Sequence, residues 1–316
     1  MACAIVPLLA ACDGLGVKPS SGGEPYGVLL VTGDTAVRRV MDSVLDSPVP
    51  ALPQKERWFD VSHFTGNASD RAVRYARCMV VVQTDSTLYE RTRIRYAKDV
   101  NARHQIVVTV STPSAAVLAR DMVRMGQRLR LLLERFELNA GAESLCRSHN
   151  TAARKAVKAM FGWDILVPQE LTAMKKGRQF LWFSDNRAEG SANICVYSYP
   201  GTALDTARNM AMRDSVMGRN IPGERPFMHM KTERRIPVVQ RLAAEKGRTM
   251  LVSHGLWQMS GDAMGGPFVS LAMADTARGA TIVAEGFVFA PGKRKRNAVK
   301  RLEAALYTLA KAAETR

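Results

Sequence analysis

The chain has 316 residues, 47% of them hydrophobic, and 45 Lys and Arg against 29 Asp and Glu, for a formal net charge of +16. That length fills one large core or two smaller ones. The basic surplus excludes an acidic character and leaves two readings: an anionic partner such as nucleic acid, a lipid surface or an acidic polymer, or a solvated surface rich in Lys and Arg. The five cysteines, Cys3, Cys12, Cys78, Cys146 and Cys195, form no C-x-x-C pair and no metal-ligand spacing, so neither a metal site nor a disulfide framework is expected.

In chain order, Ala2 to Ala11 is a short apolar run closing on Leu9-Ala10-Ala11-Cys12. This order of apolar run, small residues and one cysteine resembles the signal of a bacterial lipoprotein. On that reading residues 1–11 are removed and Cys12 carries acyl chains, each contributing roughly 0.8 kcal/mol per buried methylene to membrane binding. The competing reading is an apolar N-terminal strand or tail. Residues 12–26 are rich in Gly, Ser and Pro and read as a flexible tether. No later segment approaches the ~18 uninterrupted apolar residues of a membrane helix.

Gly27 to Thr32 reads as a strand and Thr35 to Leu45 as a helix, with Val37, Val40, Met41 and Val44 at helical spacing. The prolines of Ser47 to Pro53 make an extended loop. Phe59 to Phe64, Cys78 to Gln83 and Gln105 to Thr112 read as strands, Asp70 to Arg77 and the charged stretch Thr87 to Ala102 as helices. Ser114 to Leu138 is a long amphipathic helix, and helical pattern resumes from Glu143 to Phe161.

The second half has strand candidates at 163–167, 180–184 and 193–199 and a helix at 202–217. Five more strands follow, at 227–231, 237–243, 249–259, 267–274 and 280–290, joined by glycine-bearing links as in an antiparallel meander. Lys293 to Ala313 closes the chain as a helix. The fold class is therefore α+β, with mixed and antiparallel sheets flanked by long amphipathic helices. Residues 27–145 form an N-terminal α/β subdomain and 146–316 a C-terminal α+β subdomain. Both halves run from strands to a long terminal helix, which leaves open a pair of similar α/β sandwich halves, although no residue-level repeat supports it.

Standard catalytic patterns are absent: no H-E-x-x-H, G-x-S-x-G, phosphate-binding loop or dinucleotide fingerprint. Gly33-Asp34 reads as a strand-ending turn. The three Ser-His pairs lie on adjacent residues, which point to opposite faces of a strand. A metal shared by His229, His254 and Asp262 is one reading; polar residues on an open sheet face are the other. The densest unusual segment runs from Trp257 to Phe268. As a binding loop it would use Gly265 and Gly266 for close backbone approach, Asp262 for charge, Trp257 or Phe268 for stacking, and His254 nearby; as a hairpin its glycines serve the turn. Lys293, Arg294, Lys295, Arg296, Lys300 and Arg301 form a basic surface. The first four sit where the helix dipole disfavours cations, which favours an outside anion over pure helix stability; a solvated face is the other reading and the stronger one.

Several segments together carry a family likeness: Lys18 to Tyr26, Phe59 to His63, Tyr197 to Pro200, Arg213 to Met217 with Asn220 to Gly223, Gly255 to Phe268, and Phe289 to Arg296 running into Leu302 to Leu309. In combination they resemble an uncharacterised bacteroidete envelope lipoprotein family catalogued as domain of unknown function 4837. The resemblance implies a lipid-anchored envelope protein and supplies no activity, cofactor or catalytic residue. Asp13-Gly14-Leu15-Gly16, lacking an acidic run, implies a periplasmic face. The expected function is non-catalytic binding or assembly on an envelope protein, anionic lipid or glycan. The alternative is an envelope hydrolase of glycan, peptide or lipid using Asp262, His254 and Asp214. Nucleic acid is not expected as a partner of an anchored protein.

Overall fold

The computed structural model describes residues 18–187, 190–245 and 247–312; Cys12 and the apolar run before it lie outside them. The chain divides into two compact units, residues up to Arg38 with Ser62–Leu118, and Arg39–Val61 with Ala119–Arg316. The division falls within the first helix, α1 (Thr35–Leu45), which follows β1 (Gly27–Val31). Among the described residues the chain forms mixed and antiparallel sheets with five α-helices, an α+β fold.

The first unit is built on a five-stranded sheet. Besides β1 it contains β2 (Asp60–Phe64), β3 (Cys78–Thr84), β4 (Arg93–Lys98) and β5 (Ile106–Thr112), in the order β2-β1-β3-β5-β4. β1, β3 and β5 run parallel, with Leu30, Val80 and Val108 in one register row and all fully buried. Burial alternates along β5, with Ile106, Val108 and Val110 buried and Val107 and Thr109 half-buried. The helix expected over 87–102 is instead edge strand β4. Ile94 pairs Val110 and Tyr96 pairs Val108, while Arg93 and Arg95 leave from the other face, so a period of two overrides the helical pattern. Asp85 Oδ1 accepts from the amides of Thr87 (2.8 Å) and Leu88 (3.1 Å), making a turn where that helix would begin. The helix expected over 70–77 is a series of turns, because the Gln105 side-chain amide takes the Arg74 and Ala76 carbonyls at 2.7 and 2.8 Å. Residues 18–26 are part of this unit rather than a leash: Ser20 bridges Arg103 and Gly22 bridges Ala76.

The second unit holds most of α2 (Ala115–Arg147), then α3 (Thr151–Phe161), β6 (Trp163–Asp164), β7 (Ala173–Gly177), β8 (Phe180–Ser184), β9 (Ser191–Pro200) and α4 (Thr206–Asn220). It continues with β10 (Met230–Glu233), β11 (Val239–Glu245), β12 (Arg248–Met259), β13 (Gly265–Asp275), β14 (Ala280–Phe289), α5 (Arg296–Leu306) and β15 (Ala310–Lys311). Its eight-stranded antiparallel sheet runs β10-β12-β13-β14-β9-β8-β7, with β11 also on β12. Alternation along each strand splits the core in two. Ile194, Val196, Met250, Val252, Ile282 and Ala284 pack with α3 and α5. Cys195, Tyr197, Leu251, Trp257, Phe268 and Val283 pack with Val216 and Met217 of α4.

Helix ends follow local capping. Asn150 caps α3 by accepting from Ala153 N at 2.9 Å, and Gly162, at φ +67°, closes it. Asp205 caps α4, which therefore starts later than the sequence pattern. α5 ends at Leu306 rather than 313, since the chain turns there to pair β15 with β6. Among the described residues no helix is long and apolar enough to cross a membrane.

Candidate functional site

The segment from Trp257 to Phe268 is the hairpin of β12 and β13. Its aromatic rings are core: Trp257 is 3% and Phe268 1% exposed. Trp257 Nε1 donates to the Val288 carbonyl at 3.2 Å, and its ring meets Phe287 edge-on at 5.6 Å. A Cβ on Gly266 would lie 2.0 Å from that same carbonyl, and one on Gly265 2.8 Å from the Trp257 carbonyl. The glycines thus admit the neighbouring strand and the indole. Asp262 sits at the exposed tip, accepting from Ala263 N. His254 leaves the other face of β12 toward α5, 3.0 Å from Glu303 Oε1. His229 Nδ1 lies 3.2 Å from Ser260 Oγ, so the reading that joins His229, His254 and Asp262 has no geometric basis. The set Asp262, His254 and Asp214 is likewise dispersed between the hairpin tip, the α5 face and α4. Among the described residues no three His, Cys, Asp or Glu are grouped to hold a metal.

What the α4 face does assemble is an ionic cluster. Arg213 of α4 and Glu285 of β14 are both fully buried. Arg213 Nη2 donates to Oε1 at 2.7 Å and Nε to Oε2 at 3.0 Å, a two-pronged pair. Its guanidinium also lies 3.8 Å over the Phe268 ring. Glu285 stands in a register row with Ser253, Ser270 and Cys195 across four strands. Burial pushes the Glu285 carboxyl up despite the pull of Arg213, and pushes up the Cys195 thiol and the Tyr197 hydroxyl beside it. Thr232 Oγ1 accepts from Arg213 Nη1 at 3.0 Å and donates to Asp214 Oδ1 at 2.5 Å. Burial acts to raise Asp214, but the Thr232 hydrogen bonds and Arg213 outweigh it and hold the carboxyl below its usual range.

Above this buried root opens a depression of about 460 Å³, lined by Asp214, Gln258 and the β10 segment from Lys231 to Arg235. Arg234 and Arg235 side chains are 75% and 87% exposed. Arg234 touches Asp214 at 3.0 Å. Arg235 grips Glu233 at 2.7 Å, and those hydrogen bonds hold the Glu233 carboxyl down at about 2. The arrangement is a cationic rim on a rigid floor whose one hydroxyl, that of Thr232, is already engaged.

A family model described as Domain of unknown function (DUF4837) matches residues 150–308, half of the chain. The chain belongs to the DUF4837 family. A second model, Domain of unknown function (DUF8532), matches residues 21–145. No curated protein matches. Among solved structures, a Mog1 point mutant is similar at 10% identity and a TM-score of 0.30, over 49% of this chain and 93% of that one. The Saccharomyces cerevisiae Ran-binding protein Mog1p gives 9% identity and 0.28, over 48% and 90%. Likeness at this level carries no functional argument.

The DUF4837 match spans α3 to α5, and with them the basic run expected at the surface. Three of its six residues are buried: Lys295, Arg296 and Lys300. The reason is internal acid. The Glu56 carboxylate accepts from the amides of Lys295 and Arg296 at 2.7 and 3.0 Å, relieving the dipole conflict at the start of α5 from within. Arg296 Nη2 donates to Asp60 Oδ2 at 2.5 Å. Lys300 Nζ lies between Glu134 of α2 and Glu303, 2.8 Å from the latter. Burial works against both charges, yet Glu303 and Glu134 hold Lys300 far above its usual range, and Lys300 with His254 holds Glu303 far below its own. Arg294 stays 82% exposed; Arg301, 63% exposed, reaches Glu170 at 2.7 Å. Sequence reasoning missed Arg213, Glu285, Glu134 and Glu303. The available signal was a lone charge amid apolar strand residues, Glu285 in Ala280 to Phe289.

Proposed function

We propose that this DUF4837 protein is a lipid-anchored envelope protein, tethered through Cys12 and facing the periplasm, that works by binding rather than by catalysis. The contact surface is the β10 depression, and its partner is anionic: an envelope protein, a lipid headgroup or a glycan. One observation carries the binding reading. The guanidiniums of Arg234 and Arg235, exposed though paired with Asp214 and Glu233, stand with Lys231 on a floor fixed by the Arg213–Glu285 pair, so a surface with a surplus of positive charge is pre-organised before any partner arrives. The anchor rests on Leu9-Ala10-Ala11-Cys12. The hydrolase alternative loses support because its three residues are dispersed.

The test uses vesicles with and without anionic phosphatidylglycerol, and heparin as a soluble polyanion. Arg234→Ala with Arg235→Ala should weaken binding about tenfold, equivalent to about 1.4 kcal/mol, and lower its salt dependence. The control pair Arg93→Ala with Arg95→Ala, which removes the same charge from β4, should leave binding near wild type. Equal loss in both pairs would reduce the interaction to net charge and reject a defined surface.

A further inference from the structure

The stretch Arg93-Ile94-Arg95-Tyr96-Ala97-Lys98 carries three cations and no carboxylate, and as β4 it closes one side of the sheet in the first unit. Its inner edge is taken by β5. Asp99 N donates to the Gln105 carbonyl at 2.9 Å, and the same register runs unbroken from there to Arg93 opposite Ser111. Bonded pairs alternate along an antiparallel ladder, so the main-chain groups of Arg93, Arg95 and Ala97 face β5. Those of Ile94, Tyr96 and Lys98 face outward, where no strand pairs with β4 among the described residues.

Open edges are usually blunted by proline, a bulge or charge. This one has neither proline nor bulge, and its guard against a neighbouring strand is charge. Arg93 and Arg95 are exposed on one face, with no partner among the described residues. The β5 residues opposite them, Ser111 and Thr109, carry no charge to neutralise them. Ile94, half-buried, and Tyr96, 57% exposed, stand with Lys98 on the other face. Carboxylates lie only beyond the strand ends, on Glu90 and on Asp99, which accepts from Gln105 N at 3.3 Å. Like charges directly opposite each other destabilise a strand pair and opposite charges stabilise it. The edge therefore repels a second copy of β4 and admits an acidic strand.

We propose that the open edge of β4 is a docking site for an extended acidic peptide segment, which adds an antiparallel strand to the sheet. Carboxylates at alternate positions lie opposite Arg93 and Arg95, and apolar side chains between them cover Ile94 and Tyr96. Residues directly opposite share a face, so the apolar residues of the peptide are the ones whose amides bond to Ile94 and Tyr96. The site is independent of the β10 surface, since every residue it uses belongs to the first unit. It also requires main-chain partners, which neither a vesicle nor heparin offers, so removing Arg93 and Arg95 leaves binding of those two near wild type.

The experiment is fluorescence anisotropy of the full chain in zwitterionic detergent with dye-labelled peptides of alternating Glu and Val: unmodified, N-methylated at each Val, or N-methylated at each Glu. A peptide of alternating Lys and Val is the charge control. The unmodified acidic peptide should bind at least about tenfold tighter than the basic one. Methylation at Val removes the donors that face Ile94 and Tyr96 and should abolish binding. Methylation at Glu, whose amides point away from β4, should change it little. Arg93→Glu with Arg95→Glu, both exposed positions, should reverse the preference in favour of the basic peptide, with a thermal melt to check folding. Should that variant fail to fold, the two methylated peptides on the wild-type chain decide. Arg234→Ala with Arg235→Ala should leave the acidic peptide's affinity unchanged, so this edge and the β10 surface are read separately. Equal binding of the two methylated peptides, a preference for the acidic peptide that survives charge reversal, or no binding of the acidic peptide would each overturn the proposal.

Discussion

At the scale of residues, the second unit places charges where apolar side chains would be expected and pairs Arg213 with Glu285 and Lys300 with Glu134 and Glu303 internally. Breaking a buried pair leaves an uncompensated charge, whereas replacing both partners by apolar groups need not. Arg213→Met should cost about 3–5 kcal/mol in urea unfolding, and Arg213→Met with Glu285→Leu should recover most of it. A double variant as unstable as the single one would mean that Glu285 matters through contacts other than this pair. Asp214 gives a pH signature. Its folded carboxyl lies below its unfolded value, so as the pH falls the unfolded chain takes up the proton first. Its contribution is present above about pH 4 and lost below it. The stability gap between wild type and Asp214→Asn should therefore shrink as the pH drops through about 4; a gap that stays constant would contradict this. Gly266→Ala drives a Cβ into the Val288 carbonyl and should impair folding, while Gly22→Ala should be close to neutral in the same melt.

At the scale of elements, α5 begins with basic residues and depends on the carboxylate of Glu56, 239 residues before Lys295. Two hydrogen bonds from backbone amides and a favourable dipole make Glu56→Gln an expected loss of about 1–2 kcal/mol by chemical denaturation; no change would place the stability of α5 in its packing alone. Much of this layer was legible in the sequence. α1 and the long strands β12, β13 and β14 follow from apolar periodicity, because the pattern and the buried face coincide. β4 was not legible: Arg93, Arg95 and Lys98 read as a solvated helix until β5 supplies Val108 and Val110 as partners. The true ends of α5 were hidden for the same reason, since Glu56 and the β6–β15 pairing are remote in sequence. For the site, composition pointed to Trp257 and Phe268 as ligand contacts, but the same aromatic character is what fills the core between α4 and the sheet.

At the scale of the whole molecule, a strongly basic chain of the DUF4837 family is read as a body held at a membrane, offering Arg234 and Arg235 to an anionic partner. Burial does not consume the basic surplus: Arg213, Lys295, Arg296 and Lys300 are buried, but Glu56, Glu134, Glu285 and Glu303 are buried with them. What decides the account is where the chain is fixed. Peptide mass spectrometry of natively expressed protein reads Cys12 directly: it should be the first residue, carry a diacylglyceryl thioether, and leave the cell only with detergent. A chain that retains residues 1–11, with an unmodified Cys12 thiol, in a detergent-free extract would contradict that anchor.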